Sequence, residues 1–92
     1  MRKVKPTPPP PPKITNAEEL GQLVRAARTA SGMTLEEAAL TMNVAKQTLQ
    51  NVEHGTGTVT LALVFNIMNS LGIRLHWQLP SELAALANPD EA

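Results

Sequence analysis

Between Asn16 and Leu79 the apolar positions change period once, and the change divides the chain. Leu20, Leu23, Val24 and Ala27 recur at the spacing of one helix face. Asn16 followed by Glu19 is a capping-box arrangement, so a first helix is predicted over about 17–30, stopping at Ser31-Gly32. Thr34 with Glu37 repeats the arrangement and opens a second helix whose inner face is Ala38, Ala39 and Met42. Asn43 suits a left-handed stop, and Val44 reads as a buried hinge. A third helix runs over about 46–53 until His54-Gly55 and keeps only Leu49 and Val52 for a core. Thr60 caps a fourth, with Leu61, Val64, Ile67, Met68 and Leu71 on one stripe and Gly72 at its end. Leu63 and Phe65 fall off that stripe.

After Gly72 the alternation is that of a strand: Ile73, Leu75, Trp77 and Leu79 on one side, Arg74, His76 and Gln78 on the other. Pro80 closes it, and "SELAALA" predicts a short amphipathic helical turn capped by Ser81. A lone strand leaves its backbone groups unpaired. The economical repair is antiparallel pairing with the same strand of a second copy about a two-fold axis; the alternative is an extended tail packed on its own helices. The predicted fold is therefore all-α, with four to five helices and one C-terminal strand paired across a dimer.

The tight link between the second and third helices, with small Ala38 and Ala39 at the crossing, is that of a helix-turn-helix. Such packing leaves one face of the second of the two projecting into solvent. A major groove about 12 Å wide admits that helix, and its N-terminal residues meet base edges first. Here those residues are Ala45, Lys46, Gln47 and, one turn on, Gln50. Glutamine pairs bidentately with adenine, lysine donates to guanine, and an alanine methyl contacts thymine. A face rich in Lys, Gln and Asn is otherwise a solvated one.

Composition narrows the classes without choosing a partner. Residues 1–13, "MRKVKPTPPPPPK", hold six of the eight prolines and no apolar period, which predicts a disordered basic arm outside the core. It binds a partner domain, lies along DNA through Arg2, Lys3 and Lys5, or does neither. Residues 14–79 are expected to form a helix-turn-helix DNA-binding and dimerisation domain, and 80–92 a short tail. The absence of cysteine excludes disulfides and thiolate metal sites and fits a reducing cytoplasm. His54 and His76 do not complete a metal site, so no metal and no cofactor is expected. No apolar run reaches the ~18–20 residues of a membrane helix. Net charge is zero, and four of the five acids within 14–79 sit where helices begin, where they complement helix dipoles. Glu36 and Glu37 point apart on one helix, neither histidine has a triad partner, and no Gly-rich phosphate loop exists, so no enzyme is expected.

Arg28, "GMTLEEAA", "NVAKQTLQNVEHG" and "TLALVFNIMNSLGI" together resemble the Cro/repressor-type helix-turn-helix proteins, also called the xenobiotic-response-element family, over nearly all of 16–73. The resemblance implies a lambda-repressor-like domain and an ion pair between Arg28 and Glu53. It also implies that the position of Leu35, where the family commonly carries Gln, meets the DNA backbone. The usual polar cap of the recognition helix is Ala45 here. Both departures remove polar contacts, which leaves the phosphate clamp to Thr34, Thr48, Asn51 and helix-end amides. With the strand "GIRLHWQL" added, the chain looks like the HipB-type antitoxins. These are dimeric repressors that bind a palindromic operator in double-stranded DNA, autoregulate their operon and neutralise a HipA-type kinase toxin. The alternatives are an interaction module that inhibits a toxin with little DNA binding, and a repressor with no toxin.

Overall fold

The computed structural model describes residues 4–87, apart from the side chains of 84, 85 and 87. It contains five helices: α1 (Ala17–Ala30), α2 (Leu35–Met42), α3 (Lys46–His54), α4 (Leu61–Ser70) and α5 (Ser81–Ala87). Helix ends follow local chemistry. Asn16 accepts from the Glu19 N–H, Thr34 from Glu37 and Thr60 from Leu63, each satisfying a first-turn donor. Thr34 and Glu37 close a reciprocal capping box. The box expected at α1 forms only in half, because the Glu19 carboxylate turns instead to the N–H and hydroxyl of Thr15, each at 2.8 Å. Asn43 ends α2 in the left-handed conformation at φ 57°. Ser81 is the first residue of α5 rather than its cap.

One core joins the first four helices. Val24, Ala38, Ala39, Leu49, Val52, Ile67 and Met68 are buried together, with Leu20, Met42, Val44 and Leu71 packed partly around them. Two expectations about α4 are corrected. Leu61 is exposed, and Leu63 packs against the core, because Leu63 lies one helical turn before Ile67 on the inward face. Leu61 and Phe65, four residues apart, form a second and outward edge.

α1 packs against α3. A side chain at Gly21 would strike the Val52 and Glu53 carbonyls, so the absence of a Cβ sets how near the two backbones come. Gly55, at φ +68°, does the same where the end of α3 meets the start of α1 at Glu18.

Residues 73–80 form no regular element, and among the described residues there is no β-strand. A strand needs a ladder, and this single chain offers none. Ile73 packs partly on the core, Leu75 is 48% exposed beside Phe65 and Met68 of α4, and Trp77 is 78% exposed. Residues 4–13 make contacts with the helical domain. Pro10 is buried, the Thr7 N–H donates to the Thr29 hydroxyl at 3.0 Å, and the Gln22 amide donates to the Pro8 carbonyl at 3.4 Å. Prolines lack donors but carry free carbonyls, and Gln22 of α1 takes up one of them.

Candidate nucleic-acid interface

Three elements are tied at one guanidinium. Arg28, near the end of α1, donates from Nε to Glu53 Oε2 at 2.6 Å and from Nη2 to Glu53 Oε1 at 2.9 Å. Its Nη1 donates to the Met33 carbonyl at 2.9 Å, one residue before the α2 cap. The side chains are 9% and 4% exposed, so this is a buried bidentate pair and not a surface bridge. No buried side-chain nitrogen or oxygen among the described residues lacks a partner. A charge buried this deeply tolerates only a narrow set of geometries, which holds α3 to both earlier helices.

With its far end clamped and Leu49 and Val52 sunk in the core, α3 turns its first residues outward. Ala45, Lys46 and Gln47 are exposed, and Thr48, Gln50 and Asn51 are half-buried. Ala45 makes no side-chain cap, so the amides of the first turn of α3 have no side-chain acceptor from that residue. The polar groups are pre-ordered. Gln47 Nε2 donates to Asn51 Oδ1 at 3.0 Å, and Lys46 Nζ meets Glu36 Oε1 at 3.0 Å. Asn51 also lies under the following loop, where a Cβ on Gly57 would come within 2.9 Å of its Nδ2.

At the start of α2 the Thr34 hydroxyl accepts from Glu37 at 3.1 Å and keeps its own proton to donate. The Leu35 side chain, just after the Thr34 cap, is only partly exposed. It packs partly on the core, while Leu40 is 83% exposed. An apolar side chain at this position gains more from the core than from a charged surface, so only the backbone of Leu35 remains for an anion.

The outward face thus joins the starts of two helices, with amide, ammonium and hydroxyl donors on one side of the molecule. A family model described as "Helix-turn-helix" matches residues 24–78, more than half of the chain. The chain belongs to the Cro/C1-type helix-turn-helix family. Membership supports sequence-specific DNA binding and a regulatory role, in a family that is generally non-enzymatic. Among curated proteins, none matches the chain. No helix among the described residues is long and apolar enough to cross a membrane.

Sequence reasoning brought Ala45, Lys46, Gln47 and Gln50 onto one helix, and the structure shows them at its open end and along it. It passed over Gly21, although a glycine inside a helix costs about 1 kcal/mol against alanine and signals a packing reason. It also passed over Glu36 as the partner of Lys46, because the two are brought together only by the turn between helices.

Proposed function

We propose that the protein is a homodimeric transcriptional repressor that reads a palindromic operator with α3. The observation that carries this reading is the exposed start of α3, clamped at its other end by the buried Arg28–Glu53 pair. Ala45, Lys46, Gln47 and Gln50 face the bases. Thr34, Thr48, Asn51 and the Leu35 amide face the phosphates of the flanking strand. Two such helices related by a two-fold axis enter successive major grooves about 34 Å apart.

The second copy is supported by apolar surface that one chain leaves uncovered: Phe65, Leu75 and Trp77 are 43%, 48% and 78% exposed. In the proposed dimer Ile73, Leu75, Trp77 and Leu79 pair with the same segment of the partner as an antiparallel strand. Ladder bonds and apolar burial are then gained together. Residues 14–79 carry both activities.

Replacing Lys46 and Gln47 together with Ala is expected to weaken operator binding by about thirtyfold or more, at ~1–3 kcal/mol for each base contact. The oligomeric state should not change. Fluorescence anisotropy with an operator selected from random duplexes, alongside light scattering, measures both. Undiminished operator affinity would overturn the recognition-helix assignment, and a monomer at all concentrations would overturn the dimer.

Within the same proposal the chain acts as an antitoxin that represses its own operon and neutralises a HipA-type kinase. The arrangement of helices followed by the alternating 73–79 segment supports this, and the exposed Leu40 on α2 offers an apolar contact for such a partner. Co-purification in fixed stoichiometry with a kinase-like product of the adjacent gene tests it. Its absence leaves a repressor without a toxin.

A further inference from the structure

Lys46 is the only described lysine or arginine in α3, and it is already engaged. Its ammonium lies 3.0 Å from the Glu36 carboxylate, with the two side chains 54% and 58% exposed. The bridge therefore spans the open starts of α2 and α3, at the face argued above to meet DNA. An exposed pair of this kind contributes little to folding. In the field of a phosphate backbone it matters differently, because a cation held by a carboxylate displaces no condensed counterion.

We infer that Glu36 is a specificity-setting residue that withholds Lys46 from indiscriminate DNA binding. The inference rests on the DNA-binding reading of this face. On duplex of arbitrary sequence, Lys46 stays with Glu36 and adds nothing to affinity. On the operator, guanine acceptors in register with the helix draw the ammonium away, since two base acceptors replace one solvent-exposed carboxylate oxygen. Glu36 itself lies in the first turn of α2, where a negative charge is favoured whether or not it holds Lys46. Glu36 thus lowers affinity for every sequence and lowers it least for the right one, which is discrimination against wrong partners by an unfavourable element.

Glu36→Gln keeps the size of the side chain and one acceptor oxygen, and removes the charge. Binding of the full chain to a random-sequence 30-bp duplex, and to an operator selected by the wild-type chain, is measured at 50 and 200 mM salt. The variant is expected to bind the random duplex more tightly, with a salt slope steeper by about 0.9. Over a fourfold change in salt that slope makes the gain at 50 mM about 3.5 times the gain at 200 mM. Operator affinity rises less, so the specificity ratio falls. With Lys46→Ala also in place, Glu36→Gln should no longer alter the slope.

An unchanged slope and ratio in Glu36→Gln would overturn the inference. So would the same change persisting alongside Lys46→Ala, which would mean that Glu36 acts through its own charge and not by holding Lys46. Failure of the wild-type chain to bind either duplex would refute the DNA-binding reading itself, a result distinct from both.

Discussion

Gly21 offers the sharpest test of how this domain is built. On propensity alone, Gly21→Ala in the middle of α1 should stabilise the helix by about 1 kcal/mol. The packing says the opposite. A methyl carbon at that position would lie 2.3 Å from the Val52 carbonyl oxygen, 2.4 Å from that of Glu53 and 2.6 Å from the Glu53 carbonyl carbon. Real Cβ atoms essentially never approach closer than 3.0 Å, and all three obstacles are backbone, so no side-chain rotation relieves them. Relief requires α1 and α3 to separate, which loosens the contacts around Val24, Leu49 and Val52 and lengthens the Arg28–Glu53 bonds.

Overpacking of a core costs about 1–3 kcal/mol, and an obstacle made of backbone belongs at the upper end. After subtraction of the propensity gain, the net loss is about 2 kcal/mol. For a domain this small that corresponds to a fall in Tm of roughly 8–16 °C. Thermal and urea unfolding followed by circular dichroism measure it. Arg25→Ala, at an exposed site on the same helix, controls for propensity. A Gly21→Ala variant as stable as the parent would refute the account of α1–α3 packing.

Two further outcomes follow from the polar contacts. Glu53→Gln leaves the Arg28 guanidinium buried without its counter-charge and is expected to cost about 3–5 kcal/mol in urea unfolding. Replacing both residues with Met should cost less than either single change. Glu19 should titrate below the ordinary 4.5, because the Thr15 N–H and then its hydroxyl favour the ionised carboxylate. A depressed folded value means stability that is fully present above the unfolded pKa and lost as pH falls through the folded one. Thr15→Ala should therefore raise the Glu19 pKa seen by carboxyl NMR and weaken the fold at neutral pH. The difference from the parent should vanish in acid.

What could be read from the sequence is what is decided within a few residues. The Thr34–Glu37 box, the Thr60 cap and the left-handed Asn43 are local competitions for backbone donors and space, and each appears where its residues predict. The misreadings share a different cause. Whether Leu63 or Leu61 enters the core depends on the phase of α4 against the other helices, which helical spacing within α4 leaves open. The Leu35 side chain packs partly on the core, which leaves its backbone amide for the proposed phosphate contact. Thr7 meets Thr29 across twenty-two positions, and Lys46 meets Glu36 across ten. Such pairs exist only once the helices have crossed.

The same distinction bears on the second copy. Helices α1 to α4 bury a small set of aliphatic side chains, while Phe65 and Trp77, the two aromatic residues, stay substantially exposed. A fully buried aromatic side chain contributes several times what an alanine does, so much of the available hydrophobic stabilisation lies outside the folded single chain. In a domain near the lower size limit for an independent core, that reserve is large beside the total stability. The proposed dimer would draw on it, and stability would then depend on protein concentration by mass action. DNA binding would follow the same dependence, because only a dimer places two copies of α3 on one operator. An apparent Tm rising with concentration, and lost as a dependence in Trp77→Ala, is the signature that joins folding, assembly and recognition in one equilibrium.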